Sequence, residues 1–141
     1  MWNKNINIMC LYSRQRRLKL SRKEIVCYKI LKIIDGDKVF TPYRYMFITG
    51  EQFYYKTPIK ATEKIKRSSI GSYYLYDVGL IHAYLDLDTA KSRILSPTIY
   101  FNRSNCEFII CKCHIPKYTR HVYGNREIAA KKIIIDEIIK Q

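Results

Sequence analysis

The stretch that decides the fold is residues 24–34, EIVCYKILKII. It is rich in β-branched and aromatic residues, which favour strands. Successive side chains of a strand point to opposite faces, so Tyr28 and Ile30 would share one face. Cys27 and Leu31 would share the other. The pattern predicts a long strand that is buried mainly on one face and partly on the other.

The residues that follow predict a hairpin. Asp35, Gly36 and Asp37 separate this stretch from a second β-prone run, residues 38–48. An Asp-Gly pair between two such runs is a strong local hairpin signal. Pro42 falls inside the returning run, so that strand should lie at an edge or end near the proline.

Two later segments also favour strands. Residues 106–115, CEFIICKCHI, alternate so that Ile109, Cys111 and Cys113 share a face. Residues 126–141 tolerate a helix by composition, but their many isoleucines are costly in a helix and favour a strand.

Between the strand segments, two regions indicate other structure. Residues 58–71 are polar and basic and predict a surface loop or short helix. Asp86 or Asp88 can cap a short helix whose buried side carries Ala90 and Ile94.

The chain should form one small domain. Its 141 residues fit a single domain, and 48% hydrophobic residues can build a core. The expected class is α+β, mostly antiparallel sheet with one or two short helices and a basic N-terminal arm. The expected division is residues 1–23 for the arm and residues 24–141 for the domain.

The charge distribution points to an anionic partner. The net charge is +14, and residues 1–23 contain seven basic and no acidic residues. Such density favours nucleic acid or an acidic protein surface. Tyrosines also alternate with basic residues at 43–45 and 117–123, as in single-strand-binding surfaces. The predicted nucleic-acid-binding residues are Arg14, Arg16, Arg17, Lys19, Arg22 and Lys23 in the arm, and Lys64, Lys66 and Arg67 in the loop.

Chemical motifs are scarce. Cys106, Cys111, Cys113, His114 and His121 are the richest set of metal-ligand types. Cys113 and His114 would point to opposite faces of a strand, so we expect buried thiols and no metal site. Phosphate-binding glycine loops and hydrolase motifs are missing from the sequence, and no cofactor is expected. His82 could serve as a general base or as a histidine at the edge of the core.

The sequence also bears on location. It contains no run of 18 apolar residues, and its start lacks the order of a signal peptide. We expect a protein of the host cytoplasm or of a virion, with free thiols and no membrane partner.

From Met9 onward the chain resembles a family of small uncharacterised proteins of Bacteroides-type gut bacteria and their tailed phages. The resemblance implies a phage or mobile-element origin rather than a reaction. The segments that carry it are residues 9–13 (MCLYS), 25–31 (IVCYKIL), 41–43 (TPY), 81–84 (IHAY), 87–90 (LDTA), 110–117 (ICKCHIPK) and 130–133 (AKKI).

A much looser similarity is to ADP-ribosyltransferase-like folds. It rests on residues 79–90, a possible strand and helix, and on a glutamate that begins a late strand. It implies that Arg44 or His82 would grip a nicotinamide dinucleotide. Tyr84 would stack on the nicotinamide, and Glu127 would orient the ribose.

The function expected from the sequence is non-catalytic. The protein would bind an anionic partner, most plausibly nucleic acid, in a phage or mobile-element setting. It could be a virion component that assembles into a larger particle or a homo-oligomer. One alternative is an ADP-ribosyltransferase-like enzyme with His82 and Glu127 at its site. Another is an anti-defence protein that binds a host protein.

Overall fold

The computed structural model describes residues 11–34, 38–40, 58–61, 64–95 and 106–139. This part of the chain contains twelve strands and one helix. Their bounds are β1 Leu11–Ser13, β2 Lys19–Leu20, β3 Ile25–Ile34, β4 Lys38–Phe40, β5 Pro58–Lys60, β6 Lys66–Ile70, β7 Tyr73–Val78, β8 Ile81–Tyr84, α1 Leu87–Leu95, β9 Cys106–Ile115, β10 Arg120–Tyr123, β11 Glu127–Ala130 and β12 Lys132–Ile139.

The centre of the fold is the antiparallel pair of β3 and β9. They match over their full lengths, from Ile25 opposite Ile115 to Ile34 opposite Cys106. Both strands were predicted from their alternation, and both predictions are confirmed. The predicted hairpin is confirmed by its pairing, since β4 returns along β3. Its turn, residues 35–37, lies outside the described residues, as do Pro42 and the rest of the returning run.

The large sheet closes on itself. Its strand order is β2-β10-β11-β8-β3-β9-β12-β5, with β4 also paired to β3. Strands β11 and β12 are separated only by Lys131, so they act as one long bent strand. The first half of this strand pairs with β8 and the second half with β9. The inner part of the path, β11-β8-β3-β9-β12, therefore begins and ends on this bent strand, which gives a barrel-like enclosure.

The two faces of this sheet are packed differently. The inner face forms the largest apolar cluster, with Leu31, Ile81 and Ile133 among its buried members. On the outer face, α1 covers Ile30 and Ile110 with Ala90 and Ile94. The predicted helix with these two buried residues is therefore confirmed. Asp86 caps it by accepting the Thr89 backbone N–H at 2.7 Å.

A second, three-stranded sheet has the order β1-β7-β6 and packs on the large one. Leu11, Tyr76 and Leu80 meet Val122 of β10 and Ala129 of β11 in a separate buried cluster. Residues 11–20 thus contribute strands to both sheets, β1 paired with β7 and β2 with β10. The division of the chain at residue 24 stays a prediction, and residues 1–10 lie outside the described residues.

The observed class is a single small domain of mostly antiparallel sheet with one helix, counted over the described residues. The expected mostly antiparallel sheet is confirmed. The prediction of a loop or short helix at 58–71 is wrong, because this region supplies β5 and β6. Every residue of β6 is exposed, so this strand lacks the alternation that marks a half-buried one. No described helix is long and apolar enough to cross a bilayer.

Candidate nucleic-acid interface

Four arginines line one open groove where the two sheets meet. Arg16 and Arg17 come from the link between β1 and β2, Arg67 from β6 and Arg120 from β10. The groove encloses about 540 Å³. Leu18, Ile65 and Tyr76 complete its lining, which contains no acidic residue among the described residues. The result is a concentrated positive surface with an apolar floor.

The floor is held by the core beneath it. Leu18 and Ile65 pack against the cluster that joins the two sheets, and Tyr76 is a buried member of that cluster. The Tyr76 hydroxyl donates to the Gln15 carbonyl oxygen at 2.6 Å. Gln15 also accepts the Tyr123 backbone N–H through Oε1 at 2.8 Å. The basic link is therefore anchored to both sheets by an uncharged residue that lies between the arginines.

One glycine determines the position of the side of the groove that carries Arg67. Gly79 has φ of +93°, and a Cβ built there would lie 2.6 Å from Ile65 Cα. Only glycine lets the backbone before β6 approach so closely while adopting a left-handed conformation. The position of this side of the groove thus depends on the backbone conformation at Gly79.

The fourth arginine reaches the groove through the pairing of β2 with β10, in which Arg120 lies opposite Leu20. The buried Ser21 fixes this junction. Its backbone N–H donates to Thr119 O at 2.9 Å, and its hydroxyl donates to Pro116 O at 2.7 Å. The Ser21 hydroxyl in turn accepts the Thr119 N–H at 2.9 Å. This network holds β10 against the basic link.

The arginines are ordered mainly by neutral partners. Arg67 donates to the Arg16 carbonyl oxygen, and its guanidinium lies 4.9 Å from the centroid of the Tyr74 ring. Arg14 donates to the Tyr73 hydroxyl at 3.1 Å and stacks on that ring at 5.2 Å. Because these contacts leave the positive charge uncompensated, the guanidinium groups remain available to an anion.

The structure brings together three of the nine predicted binding residues, Arg16, Arg17 and Arg67. Arg14 lies on the opposite face of the small sheet, against Tyr73. The other five are exposed and do not line the groove; they are Lys19, Arg22, Lys23, Lys64 and Lys66. Arg120 was not among the predicted residues. Its only sequence signal was the alternation of tyrosine and basic residues at 117–123.

The residues of the alternative enzyme interpretation lie on two neighbouring strands. Glu127 of β11 is opposite Tyr84 of β8, and His82 is opposite Ala129. His82 and Glu127 therefore share the outer face at adjacent pair positions, while Arg44 lies outside the described residues. Burial raises the pKa of Glu127, although Arg93 opposes this shift.

His82 is a neutral residue at neutral pH. Burial lowers its pKa to about 3, and the nearby charge of Lys29 acts in the same direction. The side chain keeps a partly exposed edge, but its Nδ1 atom is buried without a hydrogen-bond partner among the described residues. An imidazole with so low a pKa is neutral but is only a weak general base at neutral pH. The catalytic role of His82 and Glu127 stays a prediction.

The thiols and one lysine fill the inside of the barrel-like sheet. Cys27 lies opposite Cys113, and Lys29 lies opposite Cys111, all on the inner face. Burial raises the pKa of both Cys27 and Cys111 to about 12. Within the described ranges no three His, Cys, Asp or Glu side chains form a group suited to a metal ion.

The chain matches no protein-family model, no curated protein and no solved structure.

Proposed function

We propose that the protein binds a polyanion, most plausibly nucleic acid, through the groove lined by Arg16, Arg17, Arg67 and Arg120. The observation that supports this is the convergence of four guanidinium groups from three separate segments on one groove. Among the residues that the structure describes, none that lines this groove is acidic. Guanidinium groups bind phosphate oxygens through paired N–H donors and stay charged at any physiological pH.

The groove suits phosphates better than base edges. Affinity for the phosphate backbone comes from releasing condensed counterions and does not depend on sequence. The binding expected here is therefore salt-sensitive and tolerant of sequence. Each neutralised phosphate of a single strand contributes about 0.7 to the slope of log affinity against log salt. Four contacts give a slope of about −2.8, or a loss of roughly 50-fold between about 50 and 200 mM salt.

The test is fluorescence anisotropy with a labelled mixed-sequence single strand over that salt range. Arg17→Gln with Arg120→Gln removes two groove charges whose side chains make no hydrogen bond or ion pair among the described residues. The expected slope falls to about −1.4, so the loss over the same range shrinks to roughly 7-fold. Arg17→Lys, which keeps the charge, should retain the slope.

The matched control is Lys91→Gln with Arg93→Gln. Both residues are exposed on α1, which packs on β3, β8 and β9 and not beside the groove. This pair lowers the net charge by the same amount and should leave the slope unchanged. An equal decrease of the salt slope in both double variants would show that binding depends on the net charge of the protein and not on the groove. Salt-independent binding, or none, would contradict the proposal.

The finer expectations stay predictions. A phage or mobile-element setting and a place in a virion rest on the resemblance. An acidic protein could occupy the same groove. It would appear in this assay as weak oligonucleotide binding by the wild-type chain together with salt-sensitive binding to an acidic polypeptide such as polyglutamate.

A further inference from the structure

The outer face of the small sheet is an exposed aromatic surface that the groove does not use. Leu11 of β1 is paired with Tyr76 on the buried face, so Tyr12, paired with Leu75, lies on the opposite face. Tyr73 lies two positions from Leu75 and shares that face. Ile70 of β6 is opposite Tyr73 and joins the same surface.

These side chains are open to solvent and lie together on one face of the small sheet. Tyr12 is 53% exposed, Ile70 48% and Tyr73 39%. Two exposed rings and an isoleucine side by side favour a site of contact, because burying such groups in a partner gains free energy. Arg14 lies over Tyr73 and adds a cation to the surface.

The surface is continuous with the groove along the chain. Arg14 belongs to the outer face, while Arg16 and Arg17, two and three residues later, line the groove. A phosphate chain that follows this basic link would pass from the groove to the edge of the aromatic face. The occupant of that face must then carry flat apolar groups on a polyanionic backbone, as unpaired nucleic acid does.

We infer that Tyr12 is a stacking platform for unpaired bases, and that Arg14, which lies over the neighbouring Tyr73 ring, binds the adjoining phosphate. This rests on the proposed function and narrows it, because a duplex hides its base faces. The protein then prefers single-stranded nucleic acid. Stacking tolerates any base, so the preference is for strandedness and not for sequence.

The test compares three labelled ligands of equal length: a single strand, its duplex, and an abasic single strand that keeps the phosphates and lacks the bases. The wild-type chain should bind the single strand most tightly. Tyr12→Ala should weaken single-strand binding roughly 5- to 100-fold, since one stacked base is lost. It should leave affinity for the abasic strand and the duplex, and the salt slope, unchanged.

Two variants control for ring chemistry and folding. Tyr12→Phe keeps the ring and should bind the single strand as the wild type does. Val26→Ala truncates an apolar side chain that is 48% exposed on the large sheet, and should have no effect. Thermal unfolding of Tyr12→Ala should stay close to that of the wild type, since Tyr12 is 53% exposed and belongs to none of the buried clusters formed by the described residues.

The outcomes separate the two proposals. Equal affinity of the wild type for the abasic and the ordinary strand would overturn the platform and leave the groove in place. A loss in Tyr12→Ala that is equal for both strands would also overturn it, because the ring would then act without bases. If none of the three ligands binds in a salt-dependent way, the proposed function is wrong. The stacking platform, which rests on that function, is then wrong as well.

Discussion

Lys29 provides the sharpest test of the interior described above. It is 2% exposed, and its Nζ donates to the His82 carbonyl oxygen at 2.7 Å. Burial lowers its pKa from 10.5 to about 8, although nearby Cys113, Cys27 and Cys111 oppose this shift. The folded protein therefore binds the lysine proton less readily than the unfolded chain does.

The sign of the pH effect follows from this difference. Below pH 8 both states are protonated and the folded state bears the full cost of a buried charge. The cost decreases as pH rises from about 8 to 10.5, where the unfolded chain still binds a proton that the folded protein has lost. At 1.36 kcal/mol per pKa unit, the cost is about 3 kcal/mol at pH 7 and about 2 kcal/mol at pH 9.

The perturbation is Lys29→Met, which keeps a long unbranched side chain and removes its charge. The variant should be more stable than the wild type at pH 7, by less than the full cost because the bond to His82 is lost. Its advantage should shrink by about 1.3 kcal/mol between pH 7 and pH 9. Burial raises the pKa of the thiols so far that they stay protonated in the folded state of both proteins between pH 7 and pH 9, so their effect cancels in the difference.

The assay is urea unfolding followed by circular dichroism at both pH values, with a reductant present. Lys91→Met on the exposed face of α1 is the matched control. Its difference in unfolding free energy from the wild type should be the same at pH 7 and at pH 9. An advantage of Lys29→Met that is constant or grows with pH would refute the reasoning, because the lysine would then not be a buried cation with a lowered pKa.

Two further outcomes check the packing. Gly79→Ala should lower the free energy of unfolding by about 2 kcal/mol or more, because its Cβ would clash with Ile65; urea unfolding measures this. Gly71→Ala, also at positive φ but with open space around it, should cost only about 1 kcal/mol. Cys27 and Cys111 should resist iodoacetamide at pH 8 in the native state and react in urea, as peptide mass mapping would show, because burial raises their pKa to about 12. Labelling of either in the native protein would contradict their placement.

The strands of the barrel-like sheet were the most predictable part of the fold. Residues 24–34 and 106–115 alternate strongly, and this local pattern suffices to predict β3 and β9. Their mutual pairing was not predictable, because partners so far apart in the chain are chosen by the whole fold and not by local sequence. The closing of the large sheet at Lys131 was not predictable either, because residues 126–141 look like a single isoleucine-rich strand in the sequence. In the structure they supply both β11 and β12.

The error at 58–71 has a physical cause. Strand β6 has the sequence KRSSI and is exposed along its whole length, so it has no buried face for a period-two pattern to mark. It forms because β7 offers hydrogen-bonding partners from Lys66 opposite Val78 to Ile70 opposite Tyr73. Tertiary pairing overrides weak local preference in such edge strands.

The interior lysine shows a related limit. The alternation that places Cys27 and Leu31 on one face also places Lys29 there, and all three lie on the inner face. The predicted burial of β3, mainly on one face and partly on the other, is confirmed, with Val26 of the outer face 48% exposed. A charged residue nevertheless suggests the wetter face of a strand, so the complete burial of Lys29 was not predictable from its side chain. Enclosure by β8, β9 and β12 reverses that preference, and only the folded chain reveals it.

The candidate groove combines a predictable part with an unpredictable one. Charge density alone predicted Arg16, Arg17 and Arg67, whereas Arg120 is an isolated cation brought in by β10. Like charges repel, and side chains this long could point apart into water at little cost. Instead, hydrogen bonds of Gln15 and of the buried Ser21 hold these segments together, and none of these bonds neutralises a guanidinium. A fold shaped only for stability gains nothing from gathering four such groups, whereas an anionic ligand would offset their repulsion. That asymmetry is the physical argument for placing the partner at this groove.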